Sequence, residues 1–241
     1  AMGRKYLGDQ FDIHTGGIDH IPTHHENEIA QSKGCTGKIP AKFWMHCEFL
    51  LIDGGKMSKS LGNTYLVQDL IDRGYDPLSY KMLCFTAHYR NKLNFTWEGL
   101  ANSQNSLIKL KDGYVKHKEG TEDIDDSVIQ EYKTKFLEAI NDDLNMPVAM
   151  SVVWDVVKNP IKSKKLADLL LDFDRVLGIK IEEPVQVKRE EIPEDVQKLL
   201  EQRNLARQEK NWALSDELRD KIKVYGYTVK DSKDGTTLEK I

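Results

Sequence analysis

The chain has 241 residues, 39% of them hydrophobic and 31% charged, with a formal net charge of -4. This balance fits a globular protein of one to three domains, and its bulk charge advertises no nucleic-acid partner, so any such binding must use local basic patches. No apolar run reaches the ~20 residues of a membrane span, AMGRKYLGDQ lacks the apolar core of a secretory signal, and Cys35, Cys47 and Cys84 form no CxxC pair, which disfavours a disulfide framework or a self-contained zinc ribbon and favours a reducing, cytosolic home.

The first 95 or so residues read as α/β. FDIHTGGID is a short strand entering a Gly-Gly turn, and HHENEIAQSK is helix-like, with Gly34 as its end. FWMHCEFLLID is apolar and aromatic enough for one buried strand, and it enters GGKMSKSLGN, a glycine-bounded polar loop. VQDLIDRGYDP follows as an amphipathic helix with Gly and Pro as exit signals. From Thr96 to about Gly178 the spacing is helical. Leu100, Leu107 and Leu110 mark one helix, GTEDIDDS is an acidic linker, and Pro147 suits a first helical turn. LADLLLDFDRVLG then has one apolar face and ends at Gly178. The Pro- and charge-rich segment 182–195 reads as a linker. Beyond it lie two helices, PEDVQKLLEQRNLARQEK and ALSDELRDKIKVYG, and two short strands around a Lys-Asp-Gly turn.

Two stretches carry chemistry. KMSKS, Lys56 to Ser60, places two lysines in a loop bounded by glycines, where backbone can approach an anion and ammonium groups can neutralise a polyphosphate whose charge grows in a transition state. A solvated surface loop is the plain alternative. In IPTHHENEIAQ, His24 and Glu28 are four residues apart and share a helix face, so both can reach one Zn²⁺; His25 and Glu28, three apart, are a second pairing. An ordinary polar helix start, with Glu26 favouring the macrodipole, stands beside that reading, because zinc usually takes at least three protein ligands.

The extended word KMSKSLGN resembles the signature of class I aminoacyl-tRNA synthetases. Together with GGIDHIPTHHENEIAQS and the WMH string, it is similar to cysteinyl-tRNA synthetases in particular. AHYRNKLNFT, NDDLNMPVAM and the stretch 203–237 extend the resemblance over nearly the whole chain. The resemblance implies α/β plus all-α architecture. Residues 1–95 would be the second half of a Rossmann-like catalytic domain, with the KMSKS loop and a stem-contact region; 96–181 a helical anticodon-side, tRNA-binding bundle; 182–195 a linker; and 196–241 a small α+β tail. It implies ATP binding by Lys56, Ser58, Lys59 and Ser60, with Lys56 and Lys59 catalytic; a substrate pocket with Asp19, Trp44 and His46; and zinc ligation by His24 and Glu28. It also implies the partners: cysteine, ATP with Mg²⁺, tRNA(Cys), and the remaining N-terminal half of the same enzyme, a cytoplasmic monomer when whole. Zinc chemistry would favour cysteine's thiolate over serine's harder hydroxyl.

The pattern departs from the family's at its start. No HxGH string occurs, HTGG ending in Gly17, and the three cysteines do not match the family's two cysteine ligands. The chain therefore reads as the C-terminal half, beginning just after a Trp-His-x-Glu-Cys stretch. By itself it is expected to be inactive, to hold zinc poorly and to expose apolar strand edges such as 48–53. Two other functions stay open: an ATP-dependent cysteine:amino-sugar ligase, against which the tail argues, and a non-catalytic tRNA-binding paralogue. The lysines of KNPIKSKK, and Arg203, Arg207 and Lys210, are either solvated faces or tRNA phosphate contacts; Trp154 and Trp212 read as packing residues.

Overall fold

Alternation along FDIHTGG and AKFWMHC produces two strands, β1 (Phe11–Gly17) and β2 (Ala41–Cys47), which pair in parallel with His14 opposite Trp44 and Gly16 opposite His46. The computed structural model describes residues 2–185, 193–208, 211–232 and 235–240. A short helix α1 (Met2–Leu7) precedes β1. Parallel neighbours need a crossover. Here it is a 3-10 turn at Ile18–His20, a π-helical turn at Ile21–His25, and helix α2 (Glu26–Thr36). Gly34 is passed inside α2, and the helix stops three residues later. There Gly37 takes a left-handed φ of 73° and returns its N–H to the carbonyl of Lys33, a conformation that costs a residue with Cβ.

FWMHCEFLLID is not one strand. It breaks after Cys47 and resumes as β3 (Leu50–Ile52) in a second sheet of order β4-β3-β5, with β4 at Gly55–Lys56 and β5 at Leu93–Phe95. Strand β3 is the centre of that sheet, antiparallel to β4 and parallel to β5, so 48–53 is not an exposed edge. The exposed apolar surface lies on the first pair instead: Ile13 is 62% and Phe43 67% exposed, on the face opposite His14 and Trp44.

After the β4 loop come α3 (Val67–Asp72) and α4 (Pro77–Cys84). Pro77 opens α4 rather than closing α3; it sits at the first turn, where its missing N–H costs nothing, and the Asp76 side chain accepts from the Leu78 amide. Ile52, Leu70, Leu83, Phe95 and Leu100 form one small core. A second, larger core belongs to α5 (Trp97–Lys118), α6 (Asp126–Asn141), α7 (Met146–Lys158) and α8 (Lys164–Leu177). Within it Phe136 and Phe173 stack at 4.0 Å. Thr96 caps α5 by accepting from the Gly99 amide, and Gly178, with a φ of 57°, closes α8.

Residues 1–188 form one compact unit and 189–241 another, a division inside the segment expected to be a linker. The linker's first residues are tied to the bundle: the Tyr114 hydroxyl donates to Glu182 and the Lys111 ammonium to the carbonyl of Glu183. The second unit contains α9 (Glu194–Gln208), α10 (Trp212–Val224) and the antiparallel pair β6 (Tyr227–Ser232) and β7 (Gly235–Lys240). The Lys233 and Asp234 turn expected between them, and Lys210, lie outside the described residues.

Several surface expectations change with the packing. Arg203 is buried at 3% exposure, so it does not share a solvated face with Arg207, whereas Trp212 is 59% exposed rather than packed. In KNPIKSKK, Lys165 is an internal tie, 2.9 Å from Asp123 and 2.8 Å from Asp126, while Lys158 lies over the Trp154 ring.

Candidate functional site

Lysines 56 and 59 stand on a loop whose backbone is held from both ends. Asp53 and Gly54, with φ of 49° and 78°, make a two-residue turn between β3 and β4, the left-handed pair that strand twist favours in a hairpin. Beyond β4, Met57 packs into the small core beside Ile52 and Phe95. Asn63 then staples the loop: its Oδ1 accepts from the Ser58 amide at 2.8 Å and its Nδ2 donates to the Lys56 carbonyl at 3.0 Å. Ser58 and Ser60 share a hydroxyl bond of 2.7 Å. Lys59 opens a single 3-10 turn that Gly62 ends. Both lysines are exposed, and among the described residues neither makes an ion pair. The loop therefore presents two mobile ammonium groups and two hydroxyls from an anchored backbone, the equipment for an anionic ligand.

The second cluster is built on the β1–β2 ladder. Because paired residues of parallel strands project on one side, His14, Trp44 and His46 stand on a common face under the crossover. His25 descends from the π-helical turn into their midst and is only 4% exposed. Its Nδ1 lies 2.8 Å from His46 Nε2, and its ring centroid 4.8 Å from that of His14 and 4.9 Å from that of Trp44. Burial pushes the His25 imidazole down from its ordinary value, and the neighbouring His14 and His46 push the same way, so the neutral ring is favoured. Gly16 makes room: a Cβ there would lie 2.7 Å from His20 Nδ1 and 2.7 Å from His25 Cε1.

Two imidazoles approach Glu28, whose buried Oε2 has no hydrogen-bond partner among the described residues. His24 Nε2 is 3.7 Å from its Oε1, the expected pair one turn apart, and His14 Nε2 is 2.8 Å from its Oε2. His24 is 61% exposed. Ligand atoms of His14, His25 and Glu28 all lie within 4.8 Å of one another. Sequence spacing missed His14 as a member of this cluster and offered His25 only as the second pairing with Glu28. The signal for His14 was strand alternation, which sets it against Ile13; His25 was signalled by its spacing to Glu28, but its burial was not, because that depends on β2, sixteen or more residues away. Asp19 is exposed on the 3-10 turn, beside Gly17. Thus the structure gathers Trp44, His46, His24 and Glu28 around one histidine cluster, leaves Asp19 at its rim, and puts Lys56, Ser58, Lys59 and Ser60 on a separate sheet.

Both motifs lie within a stretch that matches a known family. Residues 1–105 match the family described as tRNA synthetases class I (C) catalytic domain, and 189–237 match the cysteinyl-tRNA ligase anticodon binding domain. The chain is 43% identical, over 99% of its length, to Cysteine--tRNA ligase 1 of Burkholderia lata and covers 50% of that protein. It is 40% identical to the Cysteine--tRNA ligase of Protochlamydia amoebophila, covering 53% of it. The chain thus spans about half the length of the curated relatives it matches. A solved ternary complex of Agrobacterium radiobacter K84 LeuRS with tRNA and LeuAMS has a TM-score of 0.53 at 16% identity, over 70% of this chain and 26% of that one, a likeness of fold. Among the described residues no helix is long and apolar enough to cross a membrane. The two family matches together cover more than half of the sequence, the relatives align with nearly all of it, and the chain belongs to the cysteinyl-tRNA synthetase family.

Proposed function

We propose that this chain supplies the C-terminal half of an enzyme that activates cysteine with ATP and transfers it to tRNA(Cys). The observation that carries the reading is the stapled Lys56–Ser60 loop, with both lysines exposed and unengaged among the described residues. Lys59 and Lys56 neutralise the ATP phosphates, whose Mg²⁺ comes with the nucleotide, and Ser58 and Ser60 offer hydroxyl donors to the same oxygens. Asp19, Trp44 and His46 line the amino-acid pocket. Residues 96–181 and the tail from 196 carry the tRNA, and the remaining half of the nucleotide-binding fold comes from outside these residues. A reducing, cytoplasmic setting suits three cysteines without a disulfide partner.

His24 and Glu28 fit two vertices of a zinc site. Their 3.7 Å separation matches the edge of about 3.3–3.8 Å that bond lengths near 2.0–2.3 Å give a tetrahedron. Zinc held there offers a thiolate-selective position for the substrate's sulfur. His14 Nε2 lies 2.8 Å from Glu28 Oε2, a buried oxygen without a hydrogen-bond partner among the described residues, and His25 is hydrogen-bonded to His46 beside it. With only two family ligands in place, the 241-residue chain holds zinc weakly. A second donor set has its own observation, the convergence of His14, His25 and Glu28. Metal analysis of His24→Ala and His14→Ala separates the two: zinc lost in the second alone assigns the ion to the alternative set.

The decisive experiment is a hybrid in which these residues replace the matching half of the Burkholderia lata relative. Cysteine-dependent exchange of pyrophosphate into ATP is the expected result, with Lys59→Ala lowering it by about 10²–10³-fold. A hybrid that binds tRNA(Cys) but never activates cysteine sinks this reading in favour of a non-catalytic tRNA-binding protein. Transfer of cysteine to an amino-sugar instead of tRNA favours the ligase alternative.

A further inference from the structure

Asp143 occupies the turn between α6 and α7, where it and Leu144 adopt left-handed φ values of 53° and 56°. Such values strain residues with a Cβ and persist where surroundings fix them. Here three consecutive residues from the other side do so. The Arg90 guanidinium donates to both carboxylate oxygens, Nε at 2.6 Å and a terminal nitrogen at 3.3 Å; the Tyr89 hydroxyl donates at 2.5 Å; and His88 Nε2 lies 2.8 Å from the Asp143 carbonyl. Arg90, chiefly, and Tyr89 hold the Asp143 carboxyl down to about 2, so it is ionised at all physiological pH values.

The segment 88–90 is a turn that leads into the sheet bearing the KMSKS loop. The Tyr89 carbonyl accepts from the Glu48 amide at 2.9 Å, and three residues after Arg90 the chain enters β5, in register with β3. From β3 a two-residue hairpin leads to Lys56. Beside the clamp, apolar packing is incomplete. An open cleft of about 390 Å³ is lined by Met45, Cys47, Cys84, Leu144 and Met146. At this corner the directional bonds add an orientational constraint to the apolar seam that Leu100 of α5 makes with Ile52 and Phe95.

We propose that Asp143 is a positioning residue that fixes the angle between the helical bundle and the sheet carrying Lys56 and Lys59. Both partners are substantially exposed, at 59% for Arg90 and 47% for Asp143, so the pair adds little to stability. A bidentate fork braced by a tyrosine nonetheless permits one orientation. Helix α5 has 22 residues and is therefore about 33 Å long, so a tilt of about 10° at the junction moves its far end on the order of 5 Å. Misplacement of that size is felt by a ligand that touches both bodies, and much less by ATP and cysteine, which touch one. This rests on the tRNA(Cys) reading above.

The test uses the hybrid enzyme. Asp143→Asn should leave cysteine activation within about twofold and lower aminoacylation about tenfold through a raised KM for tRNA. The charge swap Arg90→Asp with Asp143→Arg should regain most of it. Equal loss in both reactions, or loss in neither, overturns the proposal. A hybrid that cannot activate cysteine defeats the functional reading separately, and Asp143 is then judged on the 241-residue chain. Spin labels at Asp53 and Glu131, with native cysteines replaced, should give one distance that broadens in Asp143→Asn; an unchanged distribution overturns the positioning role.

Discussion

Helices α5 to α8 and the ladder β1–β2 belong to one compact unit, yet they treat their apolar side chains oppositely. Leu107, Leu110, Val153, Val156, Leu166 and Leu170 have no exposure at all, whereas Ile13 and Phe43 are mostly exposed. Four amphipathic helices that follow one another in the chain can cover each other's apolar stripes without help. A two-stranded parallel ladder has two faces and two edges, and parallel sheets ordinarily bury both faces. One face of this ladder lies under the α2 crossover and carries the histidines; among the described residues the other has no cover. The histidine cluster and the candidate amino-acid pocket thus stand on the element that depends most on surroundings, while stability is concentrated in the bundle.

Substitutions can break this comparison. The largest effect is expected from Leu170→Ala, which empties a fully buried site in the bundle and should cost about 2–5 kcal/mol in urea unfolding. Phe43→Ala removes a larger side chain from the ladder. If it costs as much, the contrast between the two regions is wrong.

Gly113→Ala comes next. Alanine favours helix, but a Cβ at 113 would lie 2.5 Å from Val157 Cγ1 in the packed seam between α5 and α7, so a loss of about 1–3 kcal/mol is expected instead of a gain. A stabilised variant would mean that the seam is looser than its burial implies.

A pH titration gives a smaller shift. His117 is completely buried, with Nε2 2.9 Å from the Val156 carbonyl, and burial first, then Lys162, pushes its imidazole down. The folded value lies below the unfolded one of about 6.5, so the unfolded chain takes up the proton first as pH falls. Stability contributed by the neutral ring is present above that value and declines below it, by at most about 1.4 kcal/mol per pH unit. His117→Gln should flatten the dependence between pH 7 and 5.5; an unchanged slope assigns the titration to other groups. At the bottom of the scale, Phe43→Ala should change the unfolding free energy by less than about 0.5 kcal/mol.

Local chemistry made much of this legible. Periodicity placed the helices between Thr96 and Gly178, because a helix's cap and apolar stripe are written in residues close in the chain. The words KMSKSLGN and HHENE named the family, and the i,i+4 rule put His24 beside Glu28. Gly34 misled because a glycine inside a helix and one at its end differ only in φ, which packing beyond the helix decides. FWMHCEFLLID misled because an apolar run does not say which partner strand it will find.

What the sequence by itself determined, then, was the set of groups able to do chemistry and the helices able to form alone: Lys56, Lys59, His24, Glu28 and the bundle. Tertiary structure decided which of those groups meet. His14 reaches Glu28, His25 sinks among His14, Trp44 and His46, and Asp143 receives Arg90 from fifty-three residues earlier. These encounters depend on strand register and on chain reversal. Both are settled by the summed burial of many distant side chains, and no short window of residues contains that sum.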